Sequence, residues 1–198
     1  MRRWLAECVR GRSWGVRAPL VAVLAWIATR HAGDPTYASI FQGVNLGFHE
    51  MGHAALYFSG HRLLTVAAGT LFEIGVPVAA GAYLVLRQRD PFGGAVCLFW
   101  LGTALVGVGI YAADARIQAL PLVSPFGPVD VDSHDWTYIL LRLGRISRAE
   151  AIGGFIRRAG LVAMVVSLAL QGFVLRAMAD SHDHRGPDAS VREGARHP

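Results

Sequence analysis

The chain contains no lysine: all nineteen of its basic residues are arginine. That absence excludes Schiff-base chemistry, a Ser-Lys dyad and a phosphate-binding loop built on the P-loop lysine. Cysteine is scarce as well. Cys8 and Cys97 stand alone without C-x-x-C spacing, so neither a disulfide framework nor a thiolate zinc site is implied. Charge is sparse, with 17% of the residues charged against 53% hydrophobic, and the mean hydropathy is +0.38. At 198 residues this is one domain, too apolar for an ordinary soluble protein. The net charge of +5 does not call for nucleic acid, because the arginines gather at the ends of apolar runs. There the side chains snorkel towards anionic headgroups, which makes the lipid bilayer the expected partner.

What is present is a series of long apolar runs. They predict an all-α, polytopic transmembrane bundle of four to five spans with a short re-entrant or interfacial helix, in a bacterial inner membrane. Residues 1–36 hold a basic N-terminus and a possible first anchor, whose apolar run Ala18 to Thr29 is short for a span. The core is expected over residues 37–178, with apolar segments at 37–59, 63–86, 92–113 and 152–178. Between them, 115–133 reads as a proline-bounded surface loop, followed by a helix from His134 to about Leu143 with Ser133 or Asp132 as its N-cap. The tail, 179–198, is polar and without periodicity, so it is expected to be disordered, its His182-Asp183-His184 triplet included. Charge leaves the topology open. The basic N-terminus and the Arg87/Arg89 pair both favour the cytoplasm, yet three apolar runs separate them.

The chemistry is concentrated at residues 49–53, His-Glu-Met-Gly-His, an H-E-x-x-H motif inside an apolar segment. On a helix His49 and His53 share one face and reach one metal ion, while Glu50 is placed to take a proton from a metal-bound water. Imidazole nitrogen suits zinc, and two histidines with a third protein ligand leave one position open for water. Three ionisable side chains within five residues are costly in bilayer hydrocarbon and persist there for a function. Glu73, in the middle of the next apolar run, either supports the site from behind its ligands or sits in an irregular stretch such as a hairpin. Asn45, Glu73 and Asp114 are candidates to line a water route. Residue type alone leaves the third ligand open among Asp114, Asp130, Asp132, His134 and Asp135. The loop aspartates Asp130 and Asp132 are the ordinary material of turns, and Asp114 has Arg116 nearby as a pairing partner.

The motif in a membrane helix, the glycine-rich apolar segment after it and a late aspartate at a helix start together resemble the site-2 protease-like family of intramembrane zinc metallopeptidases. The match lies in His49-Glu50-Met51-Gly52-His53 and in Asp135 followed by Ile139-Leu140, with Trp136 where that family has glycine. The resemblance implies Zn2+ held by His49, His53 and Asp135, with Glu50 as the acid/base and membrane protein or peptide as substrate. His134 remains the alternative ligand on chemistry alone. A second reading, from another class, is a membrane transport or metal-binding protein that uses the same His/Glu/Asp cluster without hydrolysis.

Overall fold

The computed structural model describes residues 2–120 and 134–183, and among these it is all-helical. The helices are α1 (Arg2–Val9), α2 (Ala18–Gly33), α3 (Ile40–Leu56), α4 (Arg62–Leu86), α5 (Pro91–Asp114), α6 (Asp135–Arg142) and α7 (Ala149–Asp183). Single 3-10 turns follow α3 (Tyr57–Ser59) and precede α7 (Ile146–Arg148). The motif helix α3 gives way to its 3-10 turn after Leu56, and Gly60 closes that turn at φ +71°, a left-handed conformation that glycine adopts without steric cost.

At the centre lies α5, antiparallel to α7. Two glycine pairs set the approach: a Cβ added to Gly102 would lie 2.8 Å from the Gly160 carbonyl, and one added to Gly109 would lie 2.7 Å from that of Gly153. Small residues let membrane helices approach until backbones touch, which substitutes dispersion for the hydrophobic effect that lipid does not supply. Leu24 and Ile27 of α2 join Phe99, Val106 and Met164 in the main core. At one end α1 lays Val9 against Phe92, Val174 and Met178, and Arg12 pairs with Asp90 at 2.7 Å. The N-terminal helix, the α4/α5 turn and the end of α7 therefore share one end of the bundle. At the opposite end α6 packs through Leu140 on Ala115 and Ala149.

Three stretches are long and apolar enough to cross a membrane: Arg62–Leu86, Pro91–Asp114 and Ile146–Ser181. Of the four to five expected spans, the runs that form α2 and α3 yield helices of 16 and 17 residues, below the usual spanning length. The outer face is apolar: Trp26 is 58% exposed, Val165 64% and Phe173 58%. Such a surface suits hydrocarbon, whereas in water it would drive aggregation.

Several expectations are revised. Helix α2 runs on through Arg30 and His31 to Gly33 instead of stopping near Thr29. Glu73 sits in an unbroken helix, not a hairpin, because the apolar face of α4 continues past it; Pro77, inside the helix, withholds the N–H that would otherwise bond the Glu73 carbonyl. The N-cap of α6 is His134, whose Nδ1 accepts the Thr137 N–H at 3.2 Å. Helix α7 extends to Asp183, five residues into the stretch expected to be structureless. Asp130, Asp132, Ser133 and residues 184–198 lie outside the described residues.

Replacing Gly102 or Gly109 by leucine should destabilise the detergent-solubilised protein by at least about 1–3 kcal/mol, the usual cost of overpacking. Gly75→Leu, whose added Cβ meets nothing within 4 Å, should leave the melting temperature near the parent value. Equal melting temperatures for all three variants would remove the glycine crossing as the organiser of the α5/α7 pair.

Candidate metal centre

Helix α3 carries His49 buried and His53 half-buried on one face, one turn apart, with ring centroids 4.8 Å apart. Two helices close around them. Gly52 brings α3 against α4 so tightly that a Cβ there would strike the Ala68 carbonyl. One residue further on α4, a Cβ on Gly69 would lie 2.6 Å from Nε2 of both His49 and His53. The space in front of the imidazoles is thus kept open by the absence of one methyl group. From the far side α6 delivers Asp135, whose Oδ2 lies 2.9 Å from His49 Nε2 and 3.1 Å from His53 Nε2.

The outer atoms of the two rings fix what the inner atoms are. His49 Nδ1 lies 3.2 Å from Glu73 Oε2, and His53 Nδ1 lies 2.9 Å from the Thr65 carbonyl. A carbonyl can only accept, so Nδ1 of His53 carries a proton, and a carboxylate asks the same of His49. In the neutral imidazole each Nε2 is then a lone pair aimed at the Asp135 carboxylate. With Asp135 Oδ2 at 2.9 and 3.1 Å from the two Nε2 atoms, these acceptors repel one another unless a metal ion or a shared proton lies among them, and N and O donors around a tetrahedral ion are about 3.3 Å apart. His49, His53 and Asp135 form a group that can hold a metal ion, their candidate donor atoms all within 4.8 Å of one another. The donor set fits a borderline cation such as zinc, and Glu73 and Thr65 orient the rings as outer partners of metal-bound histidines do.

The remaining sequence candidates take other places. Glu50 follows His49 on α3, half-buried, with no hydrogen bond among the described residues. His134 is fully buried but turned from the cluster: its Nδ1 caps α6, and its Nε2 lies 3.6 Å from Asp114 Oδ2, beyond hydrogen-bond length. Burial outweighs that carboxylate and lowers the His134 pKa, favouring the neutral ring. Asp114 is not in the cluster; it accepts the N–H groups of Ala119 and Leu120 at 2.9 and 3.1 Å, while Arg116 pairs with Glu150. Asn45 is committed to α5, accepting from Trp100 Nε1 at 2.7 Å and donating to Thr103 at 3.4 Å.

Sequence reasoning missed Gly69, Thr65 and Tyr111. Gly69 was one glycine among many in an apolar run, and a carbonyl such as that of Thr65 has no sequence signature. Tyr111, whose hydroxyl accepts the Asp135 N–H at 3.1 Å, ends an apolar run, where tyrosine ordinarily marks the membrane interface. Comparison with protein-family models, with characterised proteins and with solved structures gives no match to this chain.

Gly69→Ala should cut metal affinity at least about tenfold, because the new methyl occupies the space in front of both Nε2 atoms. Gly75→Ala serves as the control, and dialysis against a metal-buffered series reads both. Undiminished affinity in Gly69→Ala would place the ion elsewhere.

Proposed function

We propose that this protein is an intramembrane zinc metallopeptidase that hydrolyses peptide bonds of membrane-embedded or membrane-adjacent substrates. The observation that carries the reading is the convergence of His49 Nε2, His53 Nε2 and Asp135 Oδ2 on one point, next in sequence to Glu50. The resemblance to site-2 proteases supports the same ligand set. Zinc, when bound, lowers the pKa of a water towards neutrality and polarises the substrate carbonyl. Glu50 accepts the proton as water adds to the carbonyl carbon and returns it to the amide nitrogen as the C–N bond breaks. The products are a carboxylate and an amine. Glu73 and Thr65 hold the imidazoles in the tautomer that presents Nε2 to the ion.

The site's depth suits this chemistry. Gly69 is seven residues into α4, about 10 Å from the helix end at a rise of 1.5 Å per residue. Water then has a short path from the α6 end, and a substrate segment reaches the site near one membrane surface.

The packing also supports a topology. Helix α2 lies against α7 and runs antiparallel to it, Val21 joining the cluster of Val174 and Met178 near one end and the His31 carbonyl accepting from Arg157 at 3.0 Å towards the other, so α2 runs parallel to α5. Helix α3 advances the same way, with Phe41 on Phe99 at 6.0 Å and His49 towards Tyr111 at 6.0 Å. Both run antiparallel to α4, so together they make one passage. The proposed bundle crosses an inner membrane four times, by α2 with α3, α4, α5 and α7, and the basic N-terminus and Arg87/Arg89 fall on one side without conflict.

Glu50→Gln should retain zinc and lose about 10²- to 10⁴-fold in cleavage of membrane-anchored reporter peptides, the usual worth of a general acid/base. Normal cleavage by that variant would sink the mechanism, and metal flux into vesicles that survives it would favour transport. For topology, cysteines replacing Ser13 and Gln88 should react with an impermeant thiol reagent from one side and a cysteine replacing Ser147 from the other. Labelling of positions 13 and 88 from opposite sides would refute the shared passage of α2 and α3.

A further inference from the structure

Asp135 comes from a helix of only eight residues. So short a helix is marginal by itself, and its first N–H groups have no partner within it. What fixes the ligand must therefore come from outside α6. Thr137 N–H is satisfied by His134 Nδ1, and the Thr137 hydroxyl donates to the Ala115 carbonyl just past α5. The N–H of Asp135 itself goes to the Tyr111 hydroxyl at 3.1 Å. The Tyr111 ring lies between two members of the site, tilted 34° on His134 at 4.2 Å between centroids and edge-on to His49 at 6.0 Å. Tyr111 thus touches the backbone of one ligand, the ring of a second and the residue that caps the ligand helix.

We propose that Tyr111 is the positioning residue for the metal centre: its hydroxyl fixes the backbone of Asp135, and so the height at which Oδ2 meets the two Nε2 atoms. The proposal rests on the metal centre and deepens it, without depending on peptide hydrolysis. Losing the hydroxyl frees the first N–H of α6 and lets the carboxylate drift, while the ring contacts with His134 and His49 persist. Hydrogen-bond partners outside the ligand set typically govern metal affinity by about 10- to 100-fold.

The test is Tyr111→Phe in the full-length protein, with zinc affinity measured against a chromophoric chelator and the visible spectrum recorded after cobalt substitution. The expected result is zinc binding weaker by about 10- to 100-fold with shifted cobalt bands, and an apoprotein melting temperature close to the parent's. A purely structural tyrosine would instead lower the apoprotein melting temperature and leave both metal readouts unchanged, which overturns the proposal. If Tyr111→Phe does not fold, 3,5-difluorotyrosine at position 111 keeps the ring and weakens the oxygen as an acceptor, and the same two readouts decide. A parent protein that binds zinc but cleaves no peptide sinks the peptidase reading alone; one that binds no metal sinks both.

Discussion

Inside an apolar bundle, two imidazole Nε2 atoms and a carboxylate oxygen meet at 2.9 and 3.1 Å. With both Nε2 atoms unprotonated and no metal ion between them and the carboxylate, that arrangement is electrostatically unfavourable, and in a low-dielectric surrounding the repulsion is poorly screened. A cation held there would link two elements distant in sequence, the middle of α3 and the start of α6, in the space left by the early part of α4. Metal binding at this group would couple to tertiary structure, as it does wherever ligands from separate elements meet at one ion.

The helix packing follows from the same requirement. Gly52 lets α3 rest on the Ala68 carbonyl, and Gly69 leaves open the space before the two Nε2 atoms that a side chain would fill. Glu73, one turn beyond Gly69, reaches back to His49 Nδ1. On α5 the glycines serve a different end: Gly102 and Gly109 bring α7 into backbone contact and make α5 the rigid post from which Tyr111 and Ala115 hold α6. The two kinds of glycine look alike in the sequence, and only the identity of the opposing atoms separates them.

Several polar groups elsewhere in the bundle are tied down in the manner that hydrocarbon demands. Asn45 is bonded to Trp100 and Thr103, Ser167 donates to the Ala95 carbonyl, and Gln171 reaches Ser167. The bonds of Asn45 and Ser167 join α5 to α3 and to α7, that of Gln171 lies within α7, and each uses a residue whose polarity would otherwise penalise its place. Asn45, an expected lining of the water route, belongs to this group by its contacts.

The sequence by itself determined the helical class, the apolar surface and the pairing of His49 with His53, because periodicity and hydropathy are local properties and an i, i+4 pair shares a helical face wherever the helix lies. It also offered Asp135 among five candidates by residue type and singled it out only by resemblance, with His134 beside it as an equally good donor type. Tertiary structure decided between those neighbours: the N-cap geometry of α6 turns the His134 ring towards Thr137 and Asp114 and sends the Asp135 carboxylate to the histidines. It decided Glu73, for which the sequence left a hairpin open and which lies in a continuous helix facing His49. It also decided Gly69, Thr65 and Tyr111, whose roles exist only across helices. Which atoms face one another depends on how helices cross, and a crossing is set by contacts between residues far apart in the chain, which no local pattern encodes.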